Sequence, residues 1–366
     1  MTLSTFSQPA PVLAAPHSTP SEAHALKSYP LFDWLRIVLA SLVALGHQGM
    51  PVIGPIDANL AVIVFLSLSG WLIGGILIES SISQLPRFFF NRATRIWIPY
   101  VFAIVLLYGL AAWREGIDAN WLKYLFYDAT FTHTIFVEFP RALTELPMGG
   151  AGNHFWSISI EEIFYLVAPL LILLLPFGKK LWAWVIISAF LLVAHANFGA
   201  IALGVLAALA ARDYPGWHLR RAIKPLLWLA CAGVFALCWP YNTEQMRAIF
   251  AVLFVLCLAV PGRRGRLGVF WGSVSYPFYL NHWMGAFLIN GLLKKLPAIP
   301  PALGILASYI VAVAAGVVTW ALVDRWVMRD RGSWYQPHRG VMLGATAYIL
   351  LLIGIIGGLI IRANGG

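Results

Sequence analysis

Charge is scarce in this chain. Of its 366 residues only 11% are Asp, Glu, Lys or Arg, and the acids are the rarer sign, 15 against 25 bases. Soluble globular domains carry about 25% charged residues, so a water-facing surface over most of the chain is excluded. Cysteine is nearly absent. Cys231, Cys238 and Cys257 are odd in number, lie in apolar runs and form no CxxC or Cys/His spacing, which excludes a disulfide framework or a zinc module and leaves small packing residues. No metal is expected. A cleavable signal is also missing, because residues 1–28 hold Pro, Ser and Ala without a charged segment followed by an apolar one. They are expected to form a flexible cytoplasmic tail.

Apolar sequence is what abounds: 60% hydrophobic residues, 16 Trp and a mean hydropathy of +0.79. A membrane-spanning helix needs about 20 mostly apolar residues. Such runs fall at 31–50, 58–79, 96–113, 156–176, 181–196, 198–211, 225–240, 246–261, 274–293, 302–323 and 341–361. The expected fold is an all-α, polytopic transmembrane helical bundle of about 10 or 11 spans. Residues 29–366 form one transmembrane domain, with a core over 29–330 and an extra C-terminal helix over 341–361. With the N-terminus placed in the cytoplasm, the outer basic residues are Arg114, Lys123, Arg141, Arg247, Lys294, Lys295 and Arg362, and the other Lys and Arg all lie inside. That asymmetry supports the orientation and a bacterial inner membrane. It also accounts for the net charge of +10 without a nucleic-acid partner. The long outer segment 114–155 is expected to be partly structured over the outer face.

Ionisable groups inside spans are costly, so each is a candidate site residue. The first helix holds Asp33, Arg36 and His47. Asp33 and Arg36 are three apart and can pair. Arg36 and His47 are eleven apart, which at about 100° and 1.5 Å per residue puts them on one stripe about 16 Å apart. The fourth span opens as Asn153-His154-Phe155-Trp156-Ser157-Ile158-Ser159-Ile160-Glu161-Glu162-Ile163-Phe164-Tyr165, with Ser157 and Glu161 on one face; a helix cap explains one acid there well and two poorly. Arg92 and Arg95, in Arg92-Ala93-Thr94-Arg95, present two guanidiniums on one face, either a phosphate clamp or topology anchors. Ser275-Tyr276-Pro277-Phe278-Tyr279-Leu280-Asn281-His282-Trp283 adds a second embedded His. Gly70-Trp71-Leu72-Ile73-Gly74 reads as a helix-packing surface, and His195 carries no assigned role.

These four segments, in this order over about residues 29 to 330, resemble the acyltransferase-3 family of integral membrane O-acyltransferases. The first helix resembles that family's Arg-x10-His helix. Residues 92–99 are similar to its Arg-x-x-Arg motif, 156–165 to its Trp-Ser-Leu-Ser-Val-Glu-Glu-Gln-Phe-Tyr stretch, and 275–283 to its Ser-Tyr-x-x-Tyr-Leu-x-His-Trp signature. Departures are Leu35 and Ile37, where glycine often stands, Asn91 in place of a third Arg, and Ile163 in place of Gln. The resemblance implies acyl transfer, most often acetyl, from cytoplasmic acyl-CoA to a hydroxyl of a lipid-linked or cell-surface glycan, with no permanently bound cofactor. An embedded imidazole suits a general base, so His47 is the expected base, with Glu161 or Glu162 orienting it. Arg36, Arg92 and Arg95 are expected to hold the donor. Asp33, Trp156, Ser157, Glu162, Tyr276, Tyr279 and His282 are expected on the substrate side. Two alternatives remain: a transporter of a lipid-linked sugar or small anion, for which paired Gly/Pro interruptions in two related halves are not found, and an acyltransferase of another family centred on Asn281 and His282.

Overall fold

In the computed structural model the described residues are 28–293 and 300–364. The expected tail lies outside them except for Ser28, as do Lys294 and Lys295. Sixteen helices are numbered here. Those of the bundle are α1 (Pro30–His47), α2 (Ala58–Glu79), α3 (Leu85–Glu115), α7 (Trp156–Pro169), α8 (Leu181–Ala194), α9 (Ala196–Asp213), α10 (Ile223–Leu237), α11 (Glu244–Leu258), α12 (Arg266–Asn281), α13 (Trp283–Leu293), α14 (Pro301–Thr319), α15 (Arg325–Trp334) and α16 (Pro337–Ala363). The segment between α3 and α7 contains α4 (Ala119–Ala129), α5 (His133–Phe136) and α6 (Phe139–Glu145). The only β-pairing among the described residues is an isolated bridge between Ile53 and Ile56. The fold is the expected helical bundle.

Among the described residues, seven helical stretches are long and apolar enough to cross a membrane: 30–47, 58–79, 82–115, 153–174, 196–213, 301–334 and 337–363; 181–194, 223–237 and 283–292 are shorter apolar helices. Helix α2 is apolar on every face and is the most enclosed of the seven, as a helix with no polar stripe should be. It starts where the Asp57 carboxylate accepts from the Leu60 N–H at 2.7 Å. Proline occupies an early position of α1, α3, α14 and α16, where its missing N–H costs nothing.

The Gly70–Gly74 surface does pack helices. A Cβ on Gly70 would collide with the Ile201 carbonyl oxygen, and one on Gly204 with that of Ser67. Thus α2 and α9 touch backbone to backbone, the kind of contact that associates helices where lipid offers no hydrophobic drive.

Three expected boundaries move. Helix α3 begins at Leu85 rather than near 96, so Arg92 and Arg95 sit inside it, as does Pro99. The single span expected over 274–293 is two helices that meet at His282. The span expected to stop at 323 runs on to Trp334 through a widened π turn, Trp320–Asp324. A second π turn, Leu170–Leu174, follows α7.

Candidate active site

Helix α1 carries its ionisable residues toward its two ends. At the C-terminal end the imidazoles of His47, His154 and His282 gather, with ring centroids 5.2 Å apart for His47–His282, 4.6 Å for His154–His282 and 6.5 Å for His47–His154. His154 and His282 are 3% and 2% exposed, whereas His47 is exposed and makes no hydrogen bond among the described residues. The buried pair is held by backbone. A carbonyl can only accept, so the 2.6 Å contact from His282 Nδ1 to the Tyr279 oxygen places the proton on Nδ1 and leaves Nε2 as a bare lone pair in the neutral ring. Both His154 nitrogens face carbonyls, Ala151 at 3.0 Å and Leu280 at 3.1 Å; a neutral ring donates to one at a time.

The second and fourth motifs meet beside this cluster. Ser157 Oγ and Tyr279 Oη are 2.6 Å apart, and Tyr279 Oη also donates to the His154 carbonyl at 3.2 Å. Tyr276 Oη donates to the Ile96 carbonyl at 3.2 Å, tying α12 to α3. Trp156 is half-buried at the start of α7. Neither glutamate reaches His47, and no hydrogen bond among the described residues joins them. Glu161 accepts from Tyr165 Oη at 3.1 Å, an oxygen that also meets Ser69 Oγ at 3.1 Å, and lies within electrostatic reach of Arg92 and Arg95. Glu162 accepts from Trp97 Nε1 at 3.0 Å. Both stand one to two turns further along α7 than Ser157, which takes them away from the imidazoles.

The other end of α1 is basic. Asp33 is 2% exposed, and its expected contact with Arg36 is present at 3.6 Å, but Arg264 from the loop before α12 is the closer partner, at 2.5 and 2.6 Å. Asp33 therefore holds two guanidiniums. Arg36 lies within electrostatic reach of Arg95, Arg264 and Arg92. Arg92 stacks 5.8 Å from the Tyr165 ring centroid and 6.0 Å from that of Phe88. Arg331 donates to the Asn91 carbonyl at 3.3 Å, and buried Asp324, in the π turn, is within electrostatic reach of Arg95. Arg264 and His154 were not singled out in the sequence. His154 carried a usable signal, standing two residues before Trp156; Arg264 is one of two arginines in a short basic loop and carried none.

The segment between α3 and α7 forms a packed cap, as expected. Its centre is Asp128, 0% exposed, which accepts from Tyr108 Oη at 2.6 Å and contacts His133 Nδ1 at 2.6 Å, while Tyr100 Oη donates to its carbonyl. Tyr100 packs edge-on against Phe155, which touches His154, so the cap buttresses the imidazole end. On the rim, Lys123 and Tyr124 donate to Glu145 at 2.8 and 2.9 Å, and the Lys123 bond chiefly lowers the Glu145 pKa below its usual 4.5. A separate groove of about 410 Å³ between α7, α8 and α9 is lined by apolar residues including Ile163, Phe164, Trp184 and Phe198. It contains none of the candidate polar residues.

An apolar bundle enclosing an imidazole cluster at one end and a guanidinium cluster at the other is a multi-pass membrane protein with an internal polar site. The acyltransferase domain family matches residues 29–321, most of the chain, and the chain belongs to that family. An O-acetyl transferase of Shigella phage Sf6 is 26% identical over 159 residues, 40% of this chain and 47% of that relative. The chain thus spans about half the length of the relative it matches. No solved structure matches it. Helix α16 lies beyond the matched residues.

Proposed function

We propose that the protein is a membrane-embedded O-acyltransferase that moves an acyl group, acetyl by preference, from cytoplasmic acyl-CoA to a hydroxyl of a cell-surface or lipid-linked glycan. Family membership and the phage O-acetyl transferase support the reaction class. One geometric observation supports the arrangement: the imidazole cluster and the guanidinium cluster occupy the two ends of α1, about 16 Å apart along the helix. An extended donor fits that layout, with its phosphates against Arg36, Arg92 and Arg95 and its thioester beside His47. The proposal places the basic end in the cytoplasm and the exposed face of His47 toward the acceptor, in a bacterial inner membrane.

In the proposed chemistry His47 takes the proton of the acceptor hydroxyl as its oxygen attacks the thioester carbonyl. The carbon–sulfur bond breaks, and the CoA thiolate leaves and regains a proton. His282 and His154, fixed by backbone carbonyls, pack the His47 ring in place. Glu161 and Glu162 belong in this scheme to the donor passage, where Glu161 stands near Arg92 and Arg95, and the Ser157–Tyr279 pair supports the floor of the cluster. The test is transfer from radiolabelled acetyl-CoA in inverted vesicles. A general base contributes about 10²–10⁴-fold, so a folded His47→Ala variant should lose that much rate with membrane expression unchanged. Wild-type rates in that variant would remove His47 from the chemistry.

A further inference from the structure

Arg264 lies on a loop far from α1 in sequence, and the donor reading gave it no part. We propose that it is a positioning residue for the donor. By taking both oxygens of Asp33 at close range, it leaves Arg36 with only a longer, 3.6 Å contact to that carboxylate and so available to an anionic group of the acyl-CoA. The inference rests on the donor reading above.

A carboxylate as buried as Asp33 requires a cation, and two guanidiniums compete for it. Arg36, three residues on along α1, is the partner that local helix geometry would supply. Yet Arg264, 231 positions away, makes the bidentate contact, Nε to Oδ2 at 2.6 Å and Nη2 to Oδ1 at 2.5 Å. Arg36 Nη1 stands 3.6 Å from Oδ1, beyond hydrogen-bond length. Two features build this exchange into the fold. Gly272 of α12 lies directly against Asp33, where a Cβ would stand 2.8 Å from Oδ1 and 3.0 Å from Cα. The loop carrying Arg264 is pinned to the entry of α1, since the Gly262 N–H donates to the Ser28 carbonyl at 2.9 Å and Ser28 Oγ donates to the Gly262 carbonyl at 2.5 Å.

The outcome is an arrangement of unlike roles. Arg264, 41% exposed, sits at the rim with its charge matched; Arg36, 20% exposed, lies deeper and faces Arg95 and Arg92. The one carboxylate near Arg36 among the described residues, Asp33, is shared with Arg264, and a guanidinium so placed beside other guanidiniums suits a polyanion, the class to which the phosphates of coenzyme A belong. Removing Arg264 would hand Asp33 to Arg36 and withdraw it from the ligand.

The experiment is calorimetric titration of the purified full-length protein in detergent with coenzyme A. Arg264→Ala should weaken binding by roughly tenfold, about 1.4 kcal/mol. Arg264→Lys, which cannot make the bidentate contact, should fall between that variant and wild type. The deciding variant is the double substitution Arg264→Ala with Asp33→Asn: asparagine has no charge with which to capture Arg36, so most of the lost affinity should return. Should Arg264→Ala fail to fold, Arg264→Lys with and without Asp33→Asn gives the same comparison. Unchanged affinity in the Arg264 variants, or a loss that Asp33→Asn does not relieve, overturns the proposal; the second result would make Arg264 a direct contact or a purely structural residue. A wild-type protein that binds no coenzyme A would overturn the donor reading itself and this inference with it.

Discussion

Asp57 does two jobs at the start of α2, and their costs can be separated. Its Oδ1 caps the helix through the Leu60 N–H at 2.7 Å. The same carboxylate accepts two bonds from Arg247 of α11, at 2.9 and 2.8 Å, and that Arg247 side chain is 5% exposed. Losing an N-cap costs about 1 kcal/mol, and stranding one charge of a buried pair costs about 3–5 kcal/mol. Asp57 is 24% exposed and Arg247 keeps its 2.8 Å bond to Asn242 Oδ1, so Asp57→Ala should destabilise the fold by about 4 kcal/mol, the low end of that sum. Asp57→Asn keeps an acceptor for the cap and should avoid most of the first term. Combining Asp57→Ala with Arg247→Met removes the stranded cation, so the double variant should be destabilised by only about the cap term, a coupling of roughly 3 kcal/mol or more. The assay is reversible unfolding in mixed micelles against the mole fraction of dodecyl sulfate, followed by helical circular dichroism. If Asp57→Ala costs under about 1 kcal/mol, or the double variant is as unstable as the single one, burial of the Arg247 charge does not dominate and the reasoning fails.

Gly204→Ala should destabilise by about 1–3 kcal/mol through overpacking against α2, while Gly233→Ala, with open space around the added methyl, should be neutral or stabilising in the same assay. Tyr279→Phe removes the hydroxyl's contacts with Ser157 and the His154 carbonyl, while Ser157 keeps its own bond to that carbonyl at 3.1 Å, so it should cost about 0.5–1.5 kcal/mol. The cap should be acid-sensitive. Glu145 has a folded pKa lowered below 4.5 by Lys123, so its contribution is present above the unfolded value and disappears as pH falls through the lower folded value. Proteolysis of the segment between α3 and α7 should thus accelerate at acid pH in wild type, and Glu145→Gln should be cleaved faster near neutral pH and lose that acid dependence. A pH profile identical in the two proteins would contradict this.

Much of the fold was readable because the bilayer makes a strong demand on composition, and a twenty-residue apolar run has few alternatives. The stripe on α1 was readable for the same reason that it is local: 3.6 residues per turn decides which residues of one helix share a face. Relations between helices were not. Glu161 and Glu162 follow Ser157 by one turn or so, and nothing in the local period says that this step carries them away from His47 toward Arg92 and Trp97. The choice of Arg264 over Arg36 by Asp33 depends on a close approach at Gly272, a contact between segments more than two hundred residues apart. Helix ends moved where polar residues entered helices, as with Arg92 and Arg95 in α3, because a hydropathy run marks the apolar stretch and not the helix.

The π turn before α15 has a genetic consequence. A π turn accommodates one residue more than the α-helical turn it replaces, so everything after it is rotated by about 100° relative to an uninterrupted helix. Asp324 lies in that turn and Arg331 two turns beyond it, and their approach to Arg95 and to the Asn91 carbonyl depends on the rotation. Deleting a single codon within Trp320–Asp324 would leave every other side chain in place by identity, yet swing both residues off the basic rim. The electrostatics of that rim are thus encoded by residue count as well as residue type.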